Sequence, residues 1–213
     1  MNRRKFVWAI AAAVALVWLW PARDVAREPE SGPRQEIGRL AKLAQWRAGT
    51  IVADIGAGDG GYSFEAAERV GAEGRVYATE IDAAKLKSLK AEVARRKVDN
   101  VTVVEGTAED TKLPPNCCDT IFLRRVYHHL TKPGEFNASL VRSLKPGGYL
   151  AIIDFPPDSS FGAVEGVPEN RGGHGIPKQV MVDELKSAGL QVEKEIANWT
   201  AHDYCVIFVK RAS

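Results

Sequence analysis

Three cysteines in 213 residues are too few, and too unevenly placed, for a disulfide scaffold or a zinc site: Cys117 and Cys118 are adjacent and Cys205 stands alone. They read as ordinary reduced thiols, and with no further Cys/His cluster no metal is expected. The chain also lacks an excess of either charge. Its 29 Lys and Arg nearly balance 27 Asp and Glu, a formal charge of +2, which gives no electrostatic reason for a nucleic-acid groove and favours small-molecule partners. Internal repeats and low-complexity tracts are missing. A hydrophobic content of 45% with 26% charged residues is that of a packed soluble body, which excludes both a disordered chain and a bundle of membrane spans.

One long hydrophobic run is present. Arg3, Arg4 and Lys5 precede an uncharged stretch over residues 6–20, ended by Pro21. Residues 1–22 therefore read as a hydrophobic anchor or signal segment. Trp18, Trp20 and the want of a small-x-small site before Arg27 favour an uncleaved anchor, although the run is shorter than the roughly 20 residues that cross a bilayer comfortably. The expectation is attachment to a membrane with the body on the cytoplasmic side; the alternative is export after signal cleavage. Residues 23–33, charged and carrying Pro and Gly, read as a linker, and residues 34–213 as one domain.

Within that body Ile37, Leu40, Ala41 and Ala44 recur at helical spacing. Short β-rich runs follow at residues 51–55, 75–79, 101–104, 120–123, 149–153, 191–196 and 205–209, with helical patterns at 62–70, 83–96, 134–144 and 177–188 between most of them. Alternation of this kind specifies an α/β, doubly wound, seven-stranded and mostly parallel sheet. The last two strands have no helix between them, so they form an antiparallel hairpin and the last strand is reversed. The Gly- and Pro-rich stretch 155–176 follows a strand's carboxyl end and reads as a lid or substrate loop.

The strongest motif is VADIGAGDGG, residues 52–61, a strand running into a glycine turn that opens a helix. Gly56, Gly58 and Gly61 also satisfy G-x-G-x-x-G, so the glycines alone admit a nicotinamide-dependent oxidoreductase. Asp54 weighs against it, because a carboxylate there would repel a pyrophosphate, and the paired catalytic Tyr and Lys of such an enzyme are not evident. With VYATEID at 76–82, EGTAEDTKLP at 105–114, CDTIFLRRVYHHL at 118–130 and LKPGGYLAIID at 144–154, the body resembles the class I, Rossmann-like S-adenosylmethionine-dependent methyltransferases over roughly residues 35–210. At the V-Y-H-H stretch it is similar to small-molecule methyltransferases that include relatives of the quinone-biosynthesis enzymes.

That resemblance implies S-adenosylmethionine as cofactor and a small-molecule methyl acceptor. Asp54 would stand near the sulfonium and its ammonium group, Gly56, Ala57, Gly58 and Gly60 would let the ligand approach the main chain, Glu80 would accept the ribose hydroxyls with Ile81 beside it in the cofactor site, and Thr107, Ala108 and Glu109 would bracket the adenine. His128, His129, Asp154 and His174 fall on the acceptor side without a division of roles. Some quinone enzymes carry a glutamate for magnesium where this chain has His128, which again leaves no metal expected. Arg124 and Arg125 read either as an anion site or as ion-paired residues. A non-catalytic, membrane-tethered cofactor-binding module is the remaining alternative.

Overall fold

The computed structural model describes residues 32–211. The anchor or signal segment 1–22 and nearly all of the linker lie outside the described residues. Among those described are five helices, α1 (Pro33–Leu43), α2 (Gly61–Val70), α3 (Ala83–Arg96), α4 (Pro133–Ser143) and α5 (Lys178–Ser187). Seven strands accompany them: β1 (Ile51–Ile55), β2 (Arg75–Glu80), β3 (Val101–Glu105), β4 (Cys118–Arg124), β5 (Leu144–Asp154), β6 (Gln191–Ile196) and β7 (Tyr204–Val209).

The strands form one sheet in the order β3-β2-β1-β4-β5-β7-β6. β1 is parallel to β2 and β4, whereas β7 runs antiparallel to both β5 and β6, with Asp154 opposite Tyr204. The reversed strand expected from the missing crossover helix is thus β7. β5 starts earlier than the expected strand at residues 149–153, because Leu144 already pairs with Cys118, and residues 145–148 fall in the register irregularity before Thr120 meets Tyr149.

The side-chain period of two decides which face each residue fills. On β4, Ile121 and Leu123 enter one core and Phe122 the other; on β5, Leu150 and Ile152 oppose Ala151 and Ile153. Phe136 and Leu140 of α4 and Met181 and Leu185 of α5 cover the first face, while Ile37 and Leu40 of α1, Phe64 of α2 and Leu89 of α3 cover the second. Each such aliphatic side chain, withdrawn from water, contributes on the order of 2 kcal/mol. Local signals set the helix ends. Pro33 stands in the first turn of α1, Asp82 accepts from the Lys85 N–H (2.8 Å) to cap α3, and Gly71 (φ 69°) ends α2 in the left-handed region.

α1 is fastened by a charge inside the protein. Glu36, 1% exposed, accepts from the Tyr62 hydroxyl (2.7 Å), the Trp199 indole N–H (2.7 Å) and the Arg124 guanidinium (3.1 Å). Burial pushes this carboxyl up, but the bonds from Arg124, Tyr62 and Trp199 together outweigh it and hold the group below the usual value. Glu36→Ala should therefore strand three buried or half-buried donors and lower unfolding stability by roughly 3 kcal/mol in urea titration. A loss under about 1 kcal/mol would show that the network does not hold α1.

Candidate active site

The order of strands reverses between β1 and β4, and in open α/β sheets that is where a crevice forms at the strands' carboxyl ends. A cleft of about 560 Å³ opens there, within the range of roughly 300–1,000 Å³ that suits a small organic ligand.

One half is built largely from main chain. β1 delivers Gly56 and Gly58 to the cleft, both in the left-handed region at φ 71° and 56°. A Cβ on Gly56 would stand 2.6 Å from a Val126 methyl, whereas one on Gly58 would meet nothing within 4 Å; Gly58 thus offers its bare backbone to the open space. Glu80 ends β2, and its carboxylate is aimed by the backbone: Oε1 accepts from the Ile81 (2.8 Å) and Asp82 (3.0 Å) N–H groups and Oε2 from that of Gly58 (3.0 Å). Both lone pairs of Oε1 are thereby taken, and Oε2 keeps one for a ligand hydroxyl. Ile81, 62% exposed, adds an apolar surface to the same wall. Thr107 and Ala108 face it from the turn after β3.

The other residues of the expected cofactor set do not line the cleft. Ala57 donates its N–H to the Thr79 carbonyl (2.8 Å), so it braces the turn. Gly60 is the left-handed N-cap of α2, where a Cβ would stand 2.6 Å from Leu89 and 2.7 Å from Phe64; its freedom serves packing. Glu109 turns outward and pairs with Lys132 at 3.1 Å, a bond that holds its carboxyl below the usual range. Asp54 lies beneath the glycine turn, accepting from the Ser63 hydroxyl at 2.6 Å.

The other half is built from side chains. After β4 the chain turns through Arg125, a non-glycine residue at φ 54°, into a 3-10 turn at Tyr127–His129. Left-handed arginine is a strained choice and is held by its surroundings. Its N–H donates to the Ile153 carbonyl (2.7 Å) and its guanidinium binds Asp203 through two nitrogens (2.8 and 3.2 Å). With Arg124 on Glu36 and Arg125 on Asp203, the ion-paired alternative describes both arginines.

His129 lines the cleft beside Leu130 and Thr131. Desolvation, then the neighbouring His128, push its imidazole down to about 4. His128 turns inward and is 2% exposed; its Nδ1 lies 2.8 Å from Oδ1 of the fully buried Asp154. Asp154 also accepts from the backbone N–H groups of His128 (3.1 Å) and Phe155 (3.0 Å). His174 arrives from the loop, its ring centroid 5.2 Å from that of His128 and 5.9 Å from that of His129. The four acceptor-side residues are therefore brought together, though only His129 is in the cleft wall.

Sequence reasoning missed the residue that holds this arrangement. Arg171, 1% exposed, reaches from the loop to the main-chain carbonyls of Tyr127 (3.1 Å) and Leu130, on either side of the histidine pair, and forms an ion pair with Glu184 of α5 (3.0 Å). Glu184 in turn accepts from the Tyr127 hydroxyl (2.8 Å). A lone arginine in a Gly- and Pro-rich loop carries no periodicity that would mark it as buried. At the loop's base the Ile176 N–H donates to the Phe155 carbonyl (2.9 Å), which closes the segment on itself.

Burial pushes the Asp54 carboxyl from 3.8 up to about 7, only partly offset by the Ser63 bond. Between those values the folded protein holds a proton that the unfolded chain has released, so this group's contribution to stability is complete below the lower value and is lost as the pH rises to about 7. In urea unfolding from about pH 5 to 8, the stability of the unsubstituted protein relative to Asp54→Asn should fall with pH and level off above neutrality. A difference that does not change with pH would contradict the buried, protonated carboxyl.

Comparison with known proteins agrees with this geometry. Residues 53–152 match the family model described as a methyltransferase domain. The ubiquinone/menaquinone biosynthesis C-methyltransferase UbiE of Marinomonas sp. (strain MWYL1) is 33% identical over 135 residues, 62% of this chain and 54% of that protein; the chain spans about half the length of the curated relatives it matches. The crystal structure of an S-adenosylmethionine-dependent methyltransferase from Aquifex aeolicus superposes with a TM-score of 0.70 at 25% identity, covering 84% of this chain and 94% of the other. The phosphoethanolamine N-methyltransferase 2 of Haemonchus contortus shares the fold at a TM-score of 0.65 and 18% identity, over 85% of this chain and 53% of the other. In its strand order, its glycine turn and its matched residues the chain is similar to S-adenosylmethionine-dependent methyltransferases and has their fold.

Proposed function

We propose that the protein transfers a methyl group from S-adenosylmethionine to a small-molecule acceptor. The observation that carries this reading is the meeting, in one cleft, of a main-chain cradle with a carboxylate at Glu80 and a histidine wall at His129. The cradle fits the cofactor by chemistry. Glu80 Oε2 can take a hydroxyl of a ribose, Gly58 leaves room for close approach, and Ile81 and Ala108 present apolar surface to a flat base. When bound, the sulfonium supplies an already activated methyl group. The protein's part is then to hold the nucleophile in line, about 3 to 3.5 Å from the methyl carbon, and to exclude water. Leu130, Phe136 and Val164 form the apolar end of the cleft that does so. A nicotinamide enzyme is not supported by the relatives named above, which are methyltransferases.

Glu80→Ala should remove a charge-assisted bond to the ribose, worth roughly 1.5 to 3 kcal/mol, and weaken S-adenosylmethionine binding at least about tenfold in calorimetric titration. Unchanged affinity would remove Glu80 from the cofactor site.

We propose further that residues 1–22 hold the protein at a membrane with the body in the cytoplasm. Among the described residues no helix is long and apolar enough to cross a membrane, so the reading rests on the sequence of that segment. Arg3, Arg4 and Lys5 favour a cytoplasmic N-terminus, while Arg23, Arg27 and Arg34 beyond the segment pull the other way. Cofactor supply breaks the tie, since S-adenosylmethionine is made in the cytosol, and a segment this short can also lie in the interface without crossing. Protease added to intact spheroplasts should leave the body uncut. Digestion from outside, or a mature N-terminus near Arg27, would replace the proposal with an exported protein.

A further inference from the structure

The two adjacent cysteines stand at the opposite end of β4 from the cleft and have no part in methyl transfer. In an extended strand successive side chains point to opposite faces, which would hold their sulfurs apart. Here they meet: Sγ of Cys117 lies 2.6 Å from Sγ of Cys118, and both thiols are free. The backbone explains the contact. Asn116 stands in the left-handed region at φ 49°, its N–H donating to the Arg142 carbonyl (2.8 Å) and its side chain accepting from Lys210 (3.1 Å). β4 begins only at Cys118, so Cys117 belongs to the turn, and its thiol comes onto the strand's first side chain.

Burial divides the roles of the two. Cys118 is 0% exposed and packs in the core, whereas Cys117 is half-buried. The Cys118 thiol donates to Cys117 and holds that thiol below its ordinary value, helped by the Lys145 ammonium and opposed by desolvation. The same contact, with burial, pushes Cys118 up. Cys117 is therefore the sulfur that ionises and meets a reagent from solvent, since the thiolate is the nucleophile. Cys118 needs to reach only Cys117.

Adjacency decides what such a pair can do. Neighbouring Cα atoms are about 3.8 Å apart across a trans peptide, short of the roughly 4.4–6.8 Å that a disulfide usually spans. A bond between these sulfurs is thus strained and easily reduced, a reversible state and not a structural crosslink. The strand can bear it. Pairing of β4 with β5 is irregular between Cys118 and Thr120 and regular from Thr120 to Arg124, so a distortion at the start of β4 need not travel to the cleft. A metal is not favoured, because among the described residues no group of three His, Cys, Asp or Glu is placed to hold one.

We propose that Cys117 and Cys118 form a thiol–disulfide exchange site, which reacts with small-molecule disulfides and closes reversibly into a ring. The Cys117 thiolate attacks one sulfur of the disulfide, whose S–S bond breaks and releases a thiolate; that thiolate takes the proton Cys117 had lost to solvent. Cys118 then attacks Cys117 Sγ, and its proton passes to the second leaving sulfur. The pair is oxidised by two electrons, and the small disulfide is reduced to two thiols.

The test incubates the folded, full-length chain with oxidised glutathione, traps remaining thiols with iodoacetamide, and reads intact and peptide masses. The unsubstituted protein should lose two hydrogens at Cys117 and Cys118 and retain no glutathione, and excess reduced glutathione should restore both thiols. Cys118→Ser should stop at the first step, with one glutathione held on Cys117. Cys117→Ser should react at least about tenfold more slowly than Cys118→Ser, because the thiols it keeps are buried. A lasting glutathione adduct on the unsubstituted protein, thiols that stay reduced throughout, bridges between chains, or equal rates in the two variants would overturn the proposal. Should Cys118→Ser not fold, judged by circular dichroism, Cys118→Ala serves in its place under the same criteria.

Discussion

The cleft depends on a constraint of the sheet. β1 and β4 are neighbours, yet α2, which follows β1, packs on one face and α4, which follows β4, packs on the other. Two chains leaving adjacent strand ends in opposite directions cannot close over the gap between them. Everything the site contains is reached from that gap: the glycine turn from β1, the Glu80 carboxylate one strand away, and the histidine turn from β4. Pairing β4 directly against β1, in register from Val52 opposite Thr120 to Ile55 opposite Leu123, is what sets the two halves facing one another.

A second constraint is the placement of charge behind the cleft. Four charged groups, Glu36, Arg124, Arg125 and Asp203, meet where α1, the end of β4 and the turn before β7 converge. The Asp203 carboxylate also accepts from the Thr200 hydroxyl (2.8 Å), whose oxygen takes the Asp203 N–H (3.1 Å), so each carboxylate has several donors. Burying ions is unfavourable unless they are paired and bonded in this way. The satisfied network lets the chain after β4 adopt the strained turn at Arg125 without leaving a bare cation in the cleft. It also joins the first helix of the domain to its last hairpin.

Much of the fold and half of the site were legible in the sequence, for a common reason. Period-two strands, crossover helices and the missing helix before β7 are local patterns that burial enforces, and the architecture follows from them. Gly56, Gly58, Glu80, Ile81, Thr107 and Ala108 line the cleft because main-chain geometry puts them there, and main-chain geometry is what glycine spacing encodes. Gly60 belonged to the same motif but answers to Leu89 and Phe64 across the α2–α3 packing, a contact between segments that no local pattern reveals. Glu109 failed to face the cleft for a similar reason, since Lys132 claims it from a different turn. Arg171 and Asp203 were invisible because their partners lie far away in sequence: Tyr127 and Leu130 for one, Arg125 for the other.

The two halves therefore differ in how freely they can change. The cofactor half uses N–H groups and glycine conformations, which tolerate little substitution and serve one ligand. On the acceptor side, the rings of Phe155, Phe161 and His174 come from a loop whose tip is bonded mainly within itself, as Ser160 is to Asp158, while its base is fastened through Arg171 and Ile176. Tip residues can vary there without disturbing the carbonyls that Arg171 holds, and so without moving His128 or Asp154. A firm base under an adaptable tip separates the choice of ligand from the placing of the histidine turn. On that division, a single sheet can serve many acceptors through its loops while the chemistry at its strand ends stays fixed.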